Sequence, residues 1–215
     1  MTKFPLWKLS CLLDEDWLEE DVLNAMAEHL YFRIAAEADD MDFVYLPTLA
    51  FNDDRHLYTS DKHVYGPNLA AFRRLLSEEP IETIAFNVWH SDHYHTFYYN
   101  STEGSLIHSD SQHGLGPDDV LPILNWLLHG TSYPYPRQID EGKIQLQGIG
   151  GGFGSCAVAA HKFIECQADD RVLQWDPTYS EGFQDKALID LIMYHCGALK
   201  VEIWSHCWQL TVETC

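Results

Sequence analysis

Positive charge is scarce in this chain: 13 lysines and arginines face 33 aspartates and glutamates across 215 residues, a formal net charge of -20. Such a surface repels phosphate backbones and anionic lipid, so neither nucleic acid nor membrane is expected as a partner. Long apolar runs are missing too. No stretch approaches the roughly 18 apolar residues that a membrane span needs. The N-terminal patch in "MTKFPLWKLSCLLDEDWLEED" meets acid within fourteen residues, which does not read as a secretion signal. Repeats and low-complexity linkers are absent, and 46% hydrophobic content suffices for one packed core, so a single domain over 1–215 is expected. The six cysteines (Cys11, Cys156, Cys166, Cys196, Cys207, Cys215) include no C-x-x-C pair. That argues against a disulfide framework and for reduced thiols in a nuclear or cytosolic setting.

Two further signatures are lacking. The glycine loop "GIGGGFGS" fits neither G-x-G-x-x-G nor G-x-x-x-x-G-K, which sets a phosphate cradle aside. The cluster "HSDHYH" and the doublets His195-Cys196 and His206-Cys207 lack a placed carboxylate or supporting shell, so core packing is their default reading and no metal site is assigned. No organic cofactor is implied either.

What is present reads as a mixed chain. From Asp16 to about Ala38 apolar residues recur at three- and four-residue steps, one face of an amphipathic helix. Residues 39 to 67 are loop-rich, and "NLAAFRRLLSEEP" is a short helix closed by Pro80. "IETIAFNVWH", "YHTFYYN" and "SLIHS" are strands, the last two joined through "NSTEG". Pro117, Asp118 and Asp119 open a helix running to Gly130, with Pro122 an awkward member of its first turn. "KIQLQ" is strand-like and "CAVAAHKFIEC" a buried helix. "DKALIDLIMYHCG" is a last helix, followed by "LKVEIW" and "WQLTV" as strands. Strands in the middle with helices at both ends give an α+β class.

One juxtaposition carries chemistry. If "HYHTFYYN" and "SLIHS" form a hairpin about "NSTEG", opposed residues have numbers summing to about 203 or 204, and His93 and Asp110 sum to 203. Cross-strand Cβ atoms lie roughly 5 Å apart, so imidazole and carboxylate fall within hydrogen-bond reach. A carboxylate bound to one ring nitrogen leaves the other free as a base. Cys156 is the matching nucleophile, because it follows the glycine loop at the start of an apolar helix, where free N–H groups and the helix dipole favour thiolate. Gln147, just upstream, offers an amide donor for an oxyanion.

At these residues the chain resembles the ubiquitin-like-protein proteases, the SUMO deconjugases of the adenovirus-protease type. These carry the triad in the order His, Asp, Cys, with the oxyanion Gln shortly before the Cys. "HYHTFYYN" is similar to the family's His-Trp strand and "HSDSQ" to its Asp-Ser segment. The separations of 17 residues from His93 to Asp110 and 46 from Asp110 to Cys156 suit it. "DWLEEDVLN" resembles the opening whose Trp lines a tunnel for a Gly-Gly tail. The likeness runs over 10–168 and implies a central mixed or antiparallel sheet flanked by helices. It also implies Trp17 and Tyr94 as walls for the tail, and a ubiquitin-like modifier such as SUMO, with its conjugates, as partner. Tyr94 stands where the family has Trp, Ser155 and Ala157 flank the cysteine in place of Asp and Gly, and Gln147 lies nine residues before Cys156 where about six is usual, with Gln145 as rival. Two alternatives stay open: acetyl transfer by the same triad, and a degenerate protease that only binds its modifier. The choice of modifier and the oligomeric state are left open.

Overall fold

The computed structural model describes residues 5–13, 18–37, 42–46, 48, 56, 58, 67–146 and 155–212. A 3-10 helix, Leu6–Leu12, precedes helix α1, Glu20–Glu37. Residues 18 and 19 precede the helix, the Glu19 carbonyl accepts from Val22 and Leu23, and Glu20 and Asp21 fill the first turn at the positive end of the dipole. Strand β1, Phe43–Leu46, follows, then α2, Pro67–Glu78, β2, Thr83–His90, β3, His93–Asn100, and β4, Ser105–Ser109. The remaining elements are α3, Val120–Leu128, β5, Ile139–Glu141, α4, Ser155–Ala168, a 3-10 turn, Pro177–Tyr179, and α5, Ser180–Val212.

The five strands lie side by side in chain order, antiparallel across β2–β3 and β3–β4 and parallel at both edges. The α+β class with a mixed sheet between helices is therefore observed. One face, with Phe86, Val88, Phe97, Tyr99 and Leu106, packs on Ile123, Leu124 and Leu127 of α3. On the opposite face Tyr45 and Ala85 meet Ala27 and Leu30 of α1 and Phe163 and Ile164 of α4. A third apolar cluster lies toward one end, joining Leu9, Leu12, Leu18, Val22, Tyr94 and residues 156–160 to Trp175 and Leu191.

Pro122 is tolerated because it sits in the first turn of α3, where its missing N–H has no intrahelical acceptor. Arg73 of α2 closes the other end of that helix, donating to the carbonyls of Trp126, Leu127 (2.6 Å) and His129 (2.5 Å).

Three strand expectations differ from the structure. β1 arises in a stretch that reads as loop. "KIQLQ" is not a strand over its described residues; the edge strand is Ile139–Glu141, and the chain leaves the sheet at Gly142. A Cβ at Gly142 would stand 2.9 Å from Ile107 Cγ2 and Phe163 Cζ, so only glycine lets the backbone pass that closely. The tail is one continuous helix to Val212, overriding the alternation in "LKVEIW" and "WQLTV", whose strand preference needs a partner edge that this region does not reach. No helix among the described residues is long and apolar enough to cross a membrane.

Candidate active site

His93 opens β3, directly after a two-residue turn in which Ser91 and Asp92 both have positive φ, 52° and 58°. That geometry turns the chain with the twist of the strands and pairs His90 with His93. Asp110 follows the last residue of β4. The β3–β4 ladder pairs Thr96 with Ser109 and Phe97 with His108, a register summing to 205, not the 203 or 204 expected. His93 and Asp110 are therefore not cross-strand partners.

They meet all the same. His93 Nε2 is hydrogen-bonded to Asp110 Oδ1, and both side chains are buried. Asp110 reaches back because its loop curls around it: the backbone N–H groups of Gln112 and Gly114 donate to its two oxygens at 2.9 and 2.6 Å. Gly114 is required for this, since a Cβ there would fall 2.9 Å from Asp110 Oδ2. Burial alone would push the carboxyl up, but His93 and the two amides outweigh it and hold its pKa at about 2.

Cys156 is the second residue of α4, in the first turn, where N–H groups lack intrahelical acceptors and the dipole is positive. It is buried, yet at the mouth of the hairpin and not remote from it. Burial disfavours the charged His93 ring; hydrogen bonding to Asp110 and the hydrogen-bonding and charge contribution of Cys156 reverse that and raise its pKa to about 9. Because Asp110 occupies Nε2, Nδ1 is the nitrogen left over, and it has no aligned hydrogen-bond partner. The structure thus brings His93, Asp110 and Cys156 into one cluster.

Tyr94 points to the opposite face of β3 from His93 and is buried in the apolar cluster that contains Cys156. Its hydroxyl makes a long 3.5 Å contact to the Leu18 carbonyl, its ring packs edge-on against Trp89 with centroids 4.6 Å apart, and burial raises its pKa. Trp17 and Gln147 lie outside the described residues. Gln145 lines a cleft with Lys162, Cys166, Gln174 and Trp175. Those α4 residues lie six and ten positions beyond Cys156, roughly 9–15 Å along the helix axis at 1.5 Å per residue. Gln145 is thereby set beside the far half of α4.

Residues singled out only as background also converge here. His95 Nδ1 is 3.0 Å from His108 Nε2, and His108 Nδ1 is 2.9 Å from the Glu141 carboxylate. The alternation along β3, which puts His93 and His95 on one face, was the signal available for this; nothing local pointed to His108 or Glu141. Among the described residues no group of three or more His, Cys, Asp or Glu side chains is placed to hold a metal ion.

No family model and no curated protein matches the chain by sequence. Solved structures do match its fold. The SUMO protease Ulp1, with its catalytic cysteine oxidised to a sulfonic acid, superposes with a TM-score of 0.69 at 11% identity, covering 90% of this chain and 86% of that one. The C-terminal Ulp1 protease domain in complex with Smt3, the yeast ortholog of SUMO, gives 0.60 at 13% identity, with 86% and 80% covered. The catalytic domain of the Chaetomium thermophilum Ulp1-like SUMO protease gives 0.56 at 16%, with 82% and 72% covered. The chain therefore has the fold of Ulp1-type SUMO protease catalytic domains, as the resemblance in its motifs implies.

Proposed function

We propose that the protein is a cysteine peptidase that cleaves after the C-terminal Gly-Gly of a ubiquitin-like modifier, releasing it from conjugates or a precursor. The observation that carries this reading is the buried His93–Asp110 pair, with its second ring nitrogen free, beside a cysteine in the first turn of a helix. The Cys156 proton passes to His93 Nδ1 before the sulfur attacks the glycyl carbonyl, and Asp110 holds the resulting imidazolium. Gln147 and backbone N–H groups at the start of α4 stabilise the tetrahedral oxyanion. The imidazolium gives its proton to the leaving amine and the C–N bond breaks, leaving a thioester. Water, deprotonated by His93, then attacks the thioester, and the thiol leaves with the proton. Trp17 and Tyr94 line the channel for the glycine tail, Tyr94 braced by Trp89. The four described cysteines, Cys11, Cys156, Cys166 and Cys196, are all free, which supports action in a reducing compartment, nucleus or cytoplasm.

A panel of ubiquitin-like modifiers bearing a C-terminal electrophile tests this. Covalent capture by at least one member, at Cys156 and lost in C156A, is the expected result. Retention without a covalent bond across the panel would make the protein a binder. Acetylation of Cys156 by acetyl-coenzyme A, with no capture, would make it a transferase.

A further inference from the structure

Behind His93 a second set of side chains runs from the buried sheet face to the surface. Alternation along β3 puts His95 on the same face as His93, and their rings meet at right angles with centroids 5.5 Å apart. His108 lies diagonally across on β4, opposite Phe97, and its ring stacks on His95 at 5.3 Å. Glu141 is the β5 partner of His108. His108 is fully buried and His95 5% exposed, while the Glu141 side chain is 58% exposed.

The donors and acceptors of this chain determine one another. An ionised carboxylate only accepts, so His108 Nδ1 carries the hydrogen that binds Glu141 Oε1 and Oε2, at 3.0 and 2.9 Å. In the tautomer with hydrogen on His108 Nδ1 alone, His108 Nε2 accepts from His95 Nδ1–H at 3.0 Å, and His95 keeps a bare lone pair on its own Nε2. Each bond polarises the next, so the charge on Glu141 makes His95 richer in electrons than an isolated imidazole. Such a neutral ring, packed against His93, favours the protonated form of its neighbour.

We propose that Glu141, acting through His108, holds His95 as a neutral ring of fixed tautomer against His93, so that a surface carboxylate on β5 helps to set the protonation of His93. His95 and His108 are positioning residues under this proposal. It rests on the functional reading above only in giving His93 its importance. The charged and titratable groups around the two rings are consistent with it. Asp110 and Cys156 favour the His93 imidazolium. Burial, against the pull of Asp110, lowers the His95 pKa to about 4, so His95 is neutral where His93 is charged. His90, whose ring lies 5.8 Å from His95, is on the adjacent strand.

The test is an NMR titration of the His93 ring in the full chain, wild type against H108F and E141Q, with H93A to assign the signal. In parallel, the rate at which iodoacetamide labels Cys156 is followed from pH 5 to 10. H108F keeps an aromatic ring but cuts both hydrogen bonds, and should move the His93 titration down from about 9 by about one pH unit. E141Q removes charge from a solvent-screened position and should move it the same way by about a third as much. The high-pH limb of Cys156 labelling should follow. An unmoved His93 titration in folded E141Q and H108F overturns the proposal, and if H108F does not fold, E141Q alone decides. Labelling of Cys156 that is identical in wild type and H93A would instead sink the functional reading, while the ring titration would still decide the link from Glu141.

Discussion

Two histidines are buried beside helix α4, and they end in opposite charge states. His93 sits at the helix start next to Cys156; His161 lies on the helix itself, about one and a half turns further along, its ring stacked on Tyr45 at 6.0 Å. Both have a buried Nδ1 without an aligned partner, and both have a carboxylate nearby. Yet at His93 burial is outweighed by the bonded Asp110 and by Cys156, which raise it to about 9, whereas at His161 burial, opposed by the charge of Glu165 and joined by Lys162 and Arg33, lowers it to about 4. The difference lies in where the carboxylate oxygens are directed. Asp110 gives an oxygen to His93, while those of Glu165 are taken by Arg33 at 2.8 Å and Lys162 at 2.5 Å. A buried histidine is charged by an acid whose lone pairs it receives, not by one that is merely close. His93 is thus poised for proton transfer and His161 is a packing element in a closed ion cluster.

Removing the bonded acid is the sharpest way to break this contrast. In D110N the His93 titration should fall well below about 9, because burial would then be opposed by Cys156 alone. The rate of Cys156 capture by a modifier probe should drop on the order of a thousandfold or more, as an amide can hold the wrong tautomer. Ring titration and single-turnover labelling would measure both, and an unchanged rate in folded D110N would remove Asp110 from the proposed triad.

The equivalent change in the closed cluster should act on stability alone. E165Q leaves Lys162, whose side chain is 7% exposed, without a compensating charge and weakens the hold on Arg33. A loss of about 3 kcal/mol is expected, read from urea midpoints. Cys156 capture by the probe should be unaltered wherever the variant is folded.

Why the first cluster was visible in the sequence and the second was not follows from chain distance and motif. His93 and Asp110 flank a turn signal on two recognisable strands, and Cys156 begins an apolar helix after a glycine loop. The expected register was nevertheless off, and the pair forms only because Asp110 is turned back by the amides of Gln112 and Gly114, a loop detail without a periodic signature. Arg33 and Glu165 are 132 residues apart, each on a helix face that reads as ordinary amphipathic pattern. Glu141 lies on a three-residue edge strand hidden by the better alternation of "KIQLQ" beside it. β1 is only four residues long and buried throughout, so it lacks the alternation that marks a half-exposed strand. Short edge elements are placed by their partners, and their partners are distant in the chain.

The two histidines should also tilt the pH dependence of stability in opposite directions. His161 has its folded pKa lowered from 6.5 to about 4, so its contribution is complete above 6.5 and is lost as pH falls through about 4. His93 has its folded pKa raised to about 9, so its contribution is complete below 6.5 and is lost as pH rises through about 9. Melting temperatures across pH should therefore flatten between 6.5 and 4 in H161F, and between 6.5 and 9 in H93Q. Asp110 and Glu165, each held at about 2, lose their contributions only as the pH falls toward that value. The same slopes in wild type and both variants would mean that neither ring differs between folded and unfolded chains.

The smallest effect concerns the turn that presents His93. Ser91 and Asp92 both adopt positive φ, a conformation that costs an ordinary L-residue and suits Asn and Gly. Both are exposed. Replacing the pair by Asn-Gly should relieve strain and raise stability by about 0.5–1 kcal/mol, without altering the His93–Asp110 bond one residue beyond. Urea denaturation measures the gain, and the His93 titration serves as the control. If the stability rises while the titration stays near 9, the strained turn only shapes the hairpin. If the titration moves with it, the conformation of the turn belongs to the machinery that holds the ring, and the boundary between scaffold and site must be drawn at His90.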